Sequence, residues 1–147
     1  MVEVAGARLV AAGWGRLSPH RELPLPERLR EIAEGVEALL DRYLPDVVAL
    51  ERVFHGANTR SLIVLAEARG ALLAALGRRA ALLVEVSPTT VKSTVAGDGR
   101  ADKARVARMV RTQLGLGNAE LPADASDALA VAITGGHLAR RGHAATR

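Results

Sequence analysis

Asp46-Val-Val-Ala-Leu-Glu51 is the stretch on which the fold turns. A short apolar run closed by a carboxylate reads as a strand buried on both faces, as in a parallel sheet. Upstream, Leu29, Ile32, Val36, Leu39 and Leu40 recur at helical spacing with Glu, Arg and Asp between them. Pro26 suits the first turn of that helix, and Pro45 ends it near Tyr43. Residues 18–26 form a loop with three prolines. Before it, residues 8–17 read as a strand, and Val2–Ala5 as a short extended arm joined through a Gly6-Ala7 turn. Downstream, residues 58–77 are helical and residues 80–86 form a second buried strand. Ser87-Pro88 caps and opens a short helix. Gly97-Asp98-Gly99 is a loop, residues 100–114 a basic amphipathic helix, and residues 123–140 the last helix, with 141–147 a frayed tail. Strand–helix alternation predicts an α/β sheet with helices packed on it, in one domain spanning residues 1–147.

Composition narrows the function classes. The 147 residues are 49% apolar, enough for a real core, and contain no cysteine, which excludes disulfides and thiolate metal sites and suits a reducing cytoplasm. No apolar run reaches the roughly 20 residues of a membrane span. The N-terminus shows no basic region followed by an apolar stretch, so no signal peptide is expected. Residues 1–51 carry 6 Lys/Arg against 9 Asp/Glu, a net of −3, whereas residues 52–111 carry 11 against 4, a net of +7. A basic middle beside isolated carboxylates suits a polyanion partner, or simply a solvated basic surface. The only aromatics are Trp14, Tyr43 and Phe54.

Three carboxylates stand out. Glu51 ends the most apolar strand, and in α/β sheets ligands gather at the carboxyl ends of strands. It reads either as a metal ligand or as an ordinary strand-end charge, a partner for Arg52 or Arg105. Asp124 and Asp127, three residues apart in Ala-Asp-Ala-Ser-Asp-Ala, share one face of the last helix near its start. There they serve either a site or the helix dipole. Carboxylates from separate segments converging at strand ends fit a hard divalent cation such as Mg²⁺. Two such ions stabilise the attacking and leaving oxygens of a phosphodiester displacement. No Gly-rich phosphate loop, GxGxxG or Gly-x-Ser-x-Gly competes. His20, His55, His137 and His143 are scattered without ligand spacing.

Val-Val-Ala-Leu-Glu-Arg-Val-Phe (47–54), Val-Ser-Pro-Thr-Thr-Val-Lys-Ser-Thr-Val-Ala-Gly-Asp-Gly-Arg-Ala-Asp-Lys (86–103) and Ala-Asp-Ala-Ser-Asp-Ala-Leu-Ala-Val-Ala-Ile-Thr (123–134) stand in this order. They resemble three motifs of the RuvC-type Holliday junction resolvases, and the resemblance covers residues 1–140. It implies an RNase H-like mixed sheet flanked by helices, a homodimer, and symmetric nicking of two strands at four-way junction DNA with Mg²⁺ or Mn²⁺, in recombination and repair. It implies Glu51, Asp124 and Asp127 as metal ligands and catalytic residues. It further implies Phe54 stacking on a base near the branch point, Lys92 and Lys103 contacting the DNA backbone, and the RuvA–RuvB branch-migration complex as a partner. One compositional point stands independently: with 18 arginines, the chain has only two lysines, and both fall in these motifs.

The chain departs from the family's pattern at its start. The family opens with a strand ending in Asp-Pro-Gly, whose Asp is the first metal ligand, whereas this chain opens at what reads as the end of the second strand. Residues 1–147 alone are therefore expected to lack the central strand, to cut no DNA and to be poorly stable. Two alternatives accompany the nuclease reading: a non-catalytic junction-binding relative, and an unrelated small α/β enzyme using Mg²⁺ on another phosphate substrate.

Overall fold

The computed structural model describes residues 1–5, 8–52, 59–79 and 81–145. Strands β1 (Val2–Ala5) and β2 (Arg8–Ala11) come first, then helix α1 (Leu25–Tyr43), strand β3 (Val47–Glu51), helix α2 (Thr59–Leu76) and strand β4 (Leu82–Val86). Helices α3 (Pro88–Ala96), α4 (Lys103–Leu114) and α5 (Ala123–Ala145) complete the order. The second expected strand is shorter than residues 8–17, and the last helix runs on to Ala145 rather than fraying at Arg141. The described residues fall into two compact units interleaved along the chain. The first comprises Met1–Arg16, Val47–Arg52 and Leu83–Arg147, the second Leu17–Asp46 and Val53–Leu82.

In the first unit, β1 and β2 form an antiparallel hairpin in the register Val2↔Ala11 to Ala5↔Arg8. Strand β3 pairs with β4. At the far end of the pair the Arg52 amide donates to Val86 O at 2.8 Å, and at its start, where the strands leave the second unit, the Leu82 amide donates to Asp46 O at 2.9 Å, so both strands run in the same direction and the pair is parallel. Among the described residues each strand has one neighbour. The expectation of strands buried on both faces is corrected accordingly: β3 is half-buried with Glu51 exposed, and β4 buries only Val86 fully.

Helix α5 organises this unit. It packs against β1, β3, α3 and α4, and its Leu129, Ile133 and Thr134 are fully enclosed. Val86, Val91, Val95, Val106, Val110 and Leu114 complete the core from β4, α3 and α4. Each such side chain contributes roughly 1.5–3 kcal/mol on burial. The Thr134 hydroxyl donates to Ala130 O at 2.8 Å, which satisfies it within its own helix. Gly135 permits close seating: a Cβ there would lie 2.4 Å from the Ala49 Cβ of β3.

The second unit is built on the packing of α1 against α2. Pro24 precedes α1 and Pro26 lies in its first turn, while Leu44 turns left-handed at φ 43° to close it before Pro45. The predicted stripe is half-buried at Leu29, Ile32 and Val36 and buried at Leu40, but Leu39 is exposed. Arg79 pairs with Asp41 at 2.8 Å and Arg78 with Glu37. In the loop before α1, the His20 amide donates to Glu31 Oε2 at 2.8 Å, and the His20 ring lies 2.9 Å from Oε1. These two hydrogen bonds hold the Glu31 carboxyl below its ordinary range.

Candidate active site

The two helices that carry the predicted lysines each begin on a side-chain cap. Glu51 is the last residue of β3 and is exposed, so its carboxylate is not buried by the strand. The Ser87 side chain accepts from the Thr90 amide at 3.0 Å and caps α3, setting the helix that bears Lys92. Asp102 accepts from the Arg105 amide at 2.7 Å and caps α4, which places Lys103 at the first helical position. The predicted basic helix therefore starts at Lys103 rather than residue 100, because Asp102 is the better cap.

The segment between α3 and α4 is tied down. Gly97 closes α3 with φ +74°. Asp98 accepts from the Arg100 amide at 2.9 Å. The Arg105 guanidinium donates to Ala96 O at 3.0 Å, and Gln113 Nε2 donates to Val95 O at 2.8 Å. These last two contacts join α4 to the end of α3, and so fix Lys92 and Lys103 relative to one another. Nothing in the sequence singled out Arg105 or Gln113 for that role.

Asp124 lies in the first turn of α5, and Asp127 follows three residues later; both side chains are exposed. The alternating residues Ala125, Ser126, Leu129 and Ala130 turn inward. The Ser126 hydroxyl, buried and standing between the two aspartates in sequence, has no hydrogen-bond partner among the described residues. Because α5 packs on β3, α3 and α4, five predicted residues share one compact unit: Glu51, Lys92, Lys103, Asp124 and Asp127. Lys103 and Asp127 meet directly: Lys103 Nζ stands 3.4 Å from Asp127 Oδ2, with the lysine 87% and the aspartate 55% exposed. At that exposure the pair contributes at most about 1 kcal/mol and is easily exchanged for another cation. Phe54 and His55 lie outside the described residues.

The donor chemistry fits a hard divalent ion, since Glu51, Asp124 and Asp127 offer only carboxylate oxygens. Among the described residues, however, no three His, Asp or Glu side chains stand close enough together to share one ion. In this arrangement Asp127 is neighboured by an ammonium instead.

The chain matches the family model described as crossover junction endodeoxyribonuclease RuvC over residues 1–135. It is 41% identical over 133 residues to the crossover junction endodeoxyribonuclease RuvC of Chloroflexus aggregans, covering 90% of this chain and 81% of that protein. It is 43% identical over 149 residues to that of Renibacterium salmoninarum, covering 99% of this chain and 75% of that one. Among solved structures it resembles Thermus thermophilus RuvC, with a TM-score of 0.84 at 35% identity over 97% of this chain and 86% of the other. It also resembles T. thermophilus RuvC in complex with a Holliday junction substrate, with a TM-score of 0.89 at 34% identity over 96% and 86%. The expected α/β, RNase H-like fold is thus the observed one.

Proposed function

The chain belongs to the RuvC family of crossover junction endodeoxyribonucleases, and on that footing we propose that it resolves Holliday junctions by nicking two strands symmetrically. The observation that carries the proposal is the packing of α5 on β3, α3 and α4, which gathers the carboxylates and both lysines into one unit.

Glu51, Asp124 and Asp127 are the proposed ligands of Mg²⁺, with Mn²⁺ as a substitute. When bound, the ion supplies Lewis-acid polarisation of the scissile phosphodiester and activation of water. The protein's own part is positioning. Lys92 and Lys103 neutralise backbone phosphates as compact point charges, held in register by the Arg105 and Gln113 contacts between their helices. Lys103 lies beside Asp127, so a phosphate it holds is delivered next to that carboxylate. Phe54 is proposed to stack on a base near the branch point.

A homodimer is proposed through α2. Ala66, Gly70 and Ala74 form a small-residue stripe that is exposed, and Ile63 and Leu65 beside it are 54% and 48% exposed. Among the described residues a Cβ on Gly70 meets nothing within 4 Å, which leaves the middle of the stripe open to a partner. The RuvA–RuvB complex is the proposed partner in branch migration. No helix among the described residues is long and apolar enough to cross a membrane, and a cytoplasmic location is proposed.

The test is a synthetic four-way junction incubated with the protein as expressed from its own gene, with Mg²⁺ or with EDTA. Paired nicks at symmetric positions that require the metal are expected. Junction binding without nicking would favour the non-catalytic relative, and equal action on linear duplex would sink the junction reading.

A further inference from the structure

Ser93 and Thr94 of α3 and His137 and Arg141 of α5 line a cavity of about 250 Å³. It lies where these two helices pack together, and among the described residues no carboxylate lines it. Its size falls below the roughly 300–1,000 Å³ of small-molecule sites, which leaves room for a small group rather than a drug-sized ligand. The chemistry of the walls is that of an anion site. Arg141 offers a fork of N–H donors and no acceptor, His137 a ring N–H, and Thr94 a hydroxyl. Among the described residues no carboxylate pairs with Arg141. The Ser93 hydroxyl already donates to Thr90 O at 3.0 Å, so Ser93 shapes the wall rather than supplying a donor.

Position says which anion. Ser93 follows Lys92, the proposed phosphate-contacting lysine, on the same short helix. On α5, His137 and Arg141 lie 10 and 14 residues beyond Asp127. At 1.5 Å per residue that is about 15 and 21 Å along the helix axis. A DNA strand rises 3.4 Å per nucleotide, so the separation corresponds to about four to six nucleotides from the cutting carboxylates. We infer that this cavity holds a backbone phosphate of a junction arm, several nucleotides from the cut, with Arg141 and His137 as its ligands. The inference rests on the junction-binding reading. It assigns a second anchoring point that fixes the arm's direction and takes no part in the chemistry.

The test is the salt dependence of four-way-junction affinity, followed by fluorescence anisotropy without Mg²⁺, for wild type, Arg141→Gln and His137→Gln/Arg141→Gln. Loss of one phosphate contact makes the slope of log affinity against log salt shallower by about one unit. Equivalently, between 50 and 200 mM salt the wild type should lose about fourfold more affinity than Arg141→Gln. Both variants should melt with the wild type. An unchanged slope with a lowered melting temperature would show instead that Arg141 serves the C-terminal end of α5, and would overturn the assignment. A second measurement follows the His137 ring resonance by NMR as junction DNA or inorganic phosphate is added. A shift with DNA is expected; a shift with phosphate alone would assign the cavity to a free anion and refute the DNA contact. A wild type that bound no junction at all would instead refute the proposed function itself.

Discussion

Replacing Gly135 with alanine puts a methyl group where α5 meets β3. The new Cβ would lie 2.4 Å from the Ala49 Cβ and 3.5 Å from its Cα. Carbon atoms rest at about 3.5–4.0 Å, so helix and strand must part by about 1 Å or more, or strain in place. Overpacking of this kind costs about 1–3 kcal/mol. Alanine in a helix interior returns about 1 kcal/mol relative to glycine. The adjacent Gly136 provides the control, since among the described residues a Cβ there meets nothing within 4 Å and Gly136→Ala gains helix propensity alone. The two alanine variants should therefore differ by about 1–3 kcal/mol. In a chain of this size that is about 3–10 °C in melting temperature, measured by circular dichroism. Ala49→Gly in the Gly135→Ala background should recover part of the loss, with a coupling above about 0.5 kcal/mol. If Gly135→Ala proves as stable as Gly136→Ala, α5 is not seated on β3 through this contact, and the placing of Glu51 in one packed unit with Asp124 and Asp127 loses its structural basis.

Lys92→Ala and Lys103→Ala should each make the salt slope of junction binding shallower by about one unit with little change in melting temperature; unchanged slopes would place these lysines away from DNA. A Cβ on Gly70 meets nothing within 4 Å among the described residues, so Gly70→Leu should fold and yet sediment as a monomer in analytical ultracentrifugation, and an intact dimer would count against the α2 interface. The Glu31 carboxyl is lowered by its hydrogen bonds from His20. Its contribution to stability is therefore full above its ordinary value of 4.5 and lost as pH falls through the lower folded value. The stability gap between wild type and Glu31→Gln, followed by urea unfolding, should be constant at neutral pH and close in acid.

Element positions were legible because they are written in local chemistry. Pro26 and Pro45 bracket α1, Ser87 opens α3, and the run from Asp46 to Glu51 gives β3. Burial was less legible, because an apolar run does not reveal how many neighbours a strand has. Thus β3 is only half-buried, and Leu82 and Leu83 of β4 are exposed. The interleaving of two compact units was invisible, since each crossing is a single step between ordinary residues. Within the site, Asp124 and Asp127 were found by their spacing on one helix. The Lys103–Asp127 contact spans 24 residues and became visible only in the structure. His137, one of four histidines scattered along the sequence, has its cavity partners Ser93 and Thr94 on another helix, more than 40 residues away, so the cavity became visible only in the structure. Gly135 carries a signal of its own: a glycine inside a strongly helical pattern costs stability unless something must approach it closely.

The central claim is that Glu51, with Asp124 and Asp127, holds the metal of a junction-cutting site. Glu51→Gln tests it most directly, because the change preserves size and removes one metal-binding charge. The measurement is junction nicking in Mg²⁺, together with junction affinity in EDTA, for the wild-type protein as expressed from its own gene and for the variant. Cleavage should vanish in Glu51→Gln while affinity stays within about twofold, a difference of about 0.4 kcal/mol in binding. Nicking by Glu51→Gln at the wild-type rate would show that this carboxylate holds no metal and would contradict the assignment.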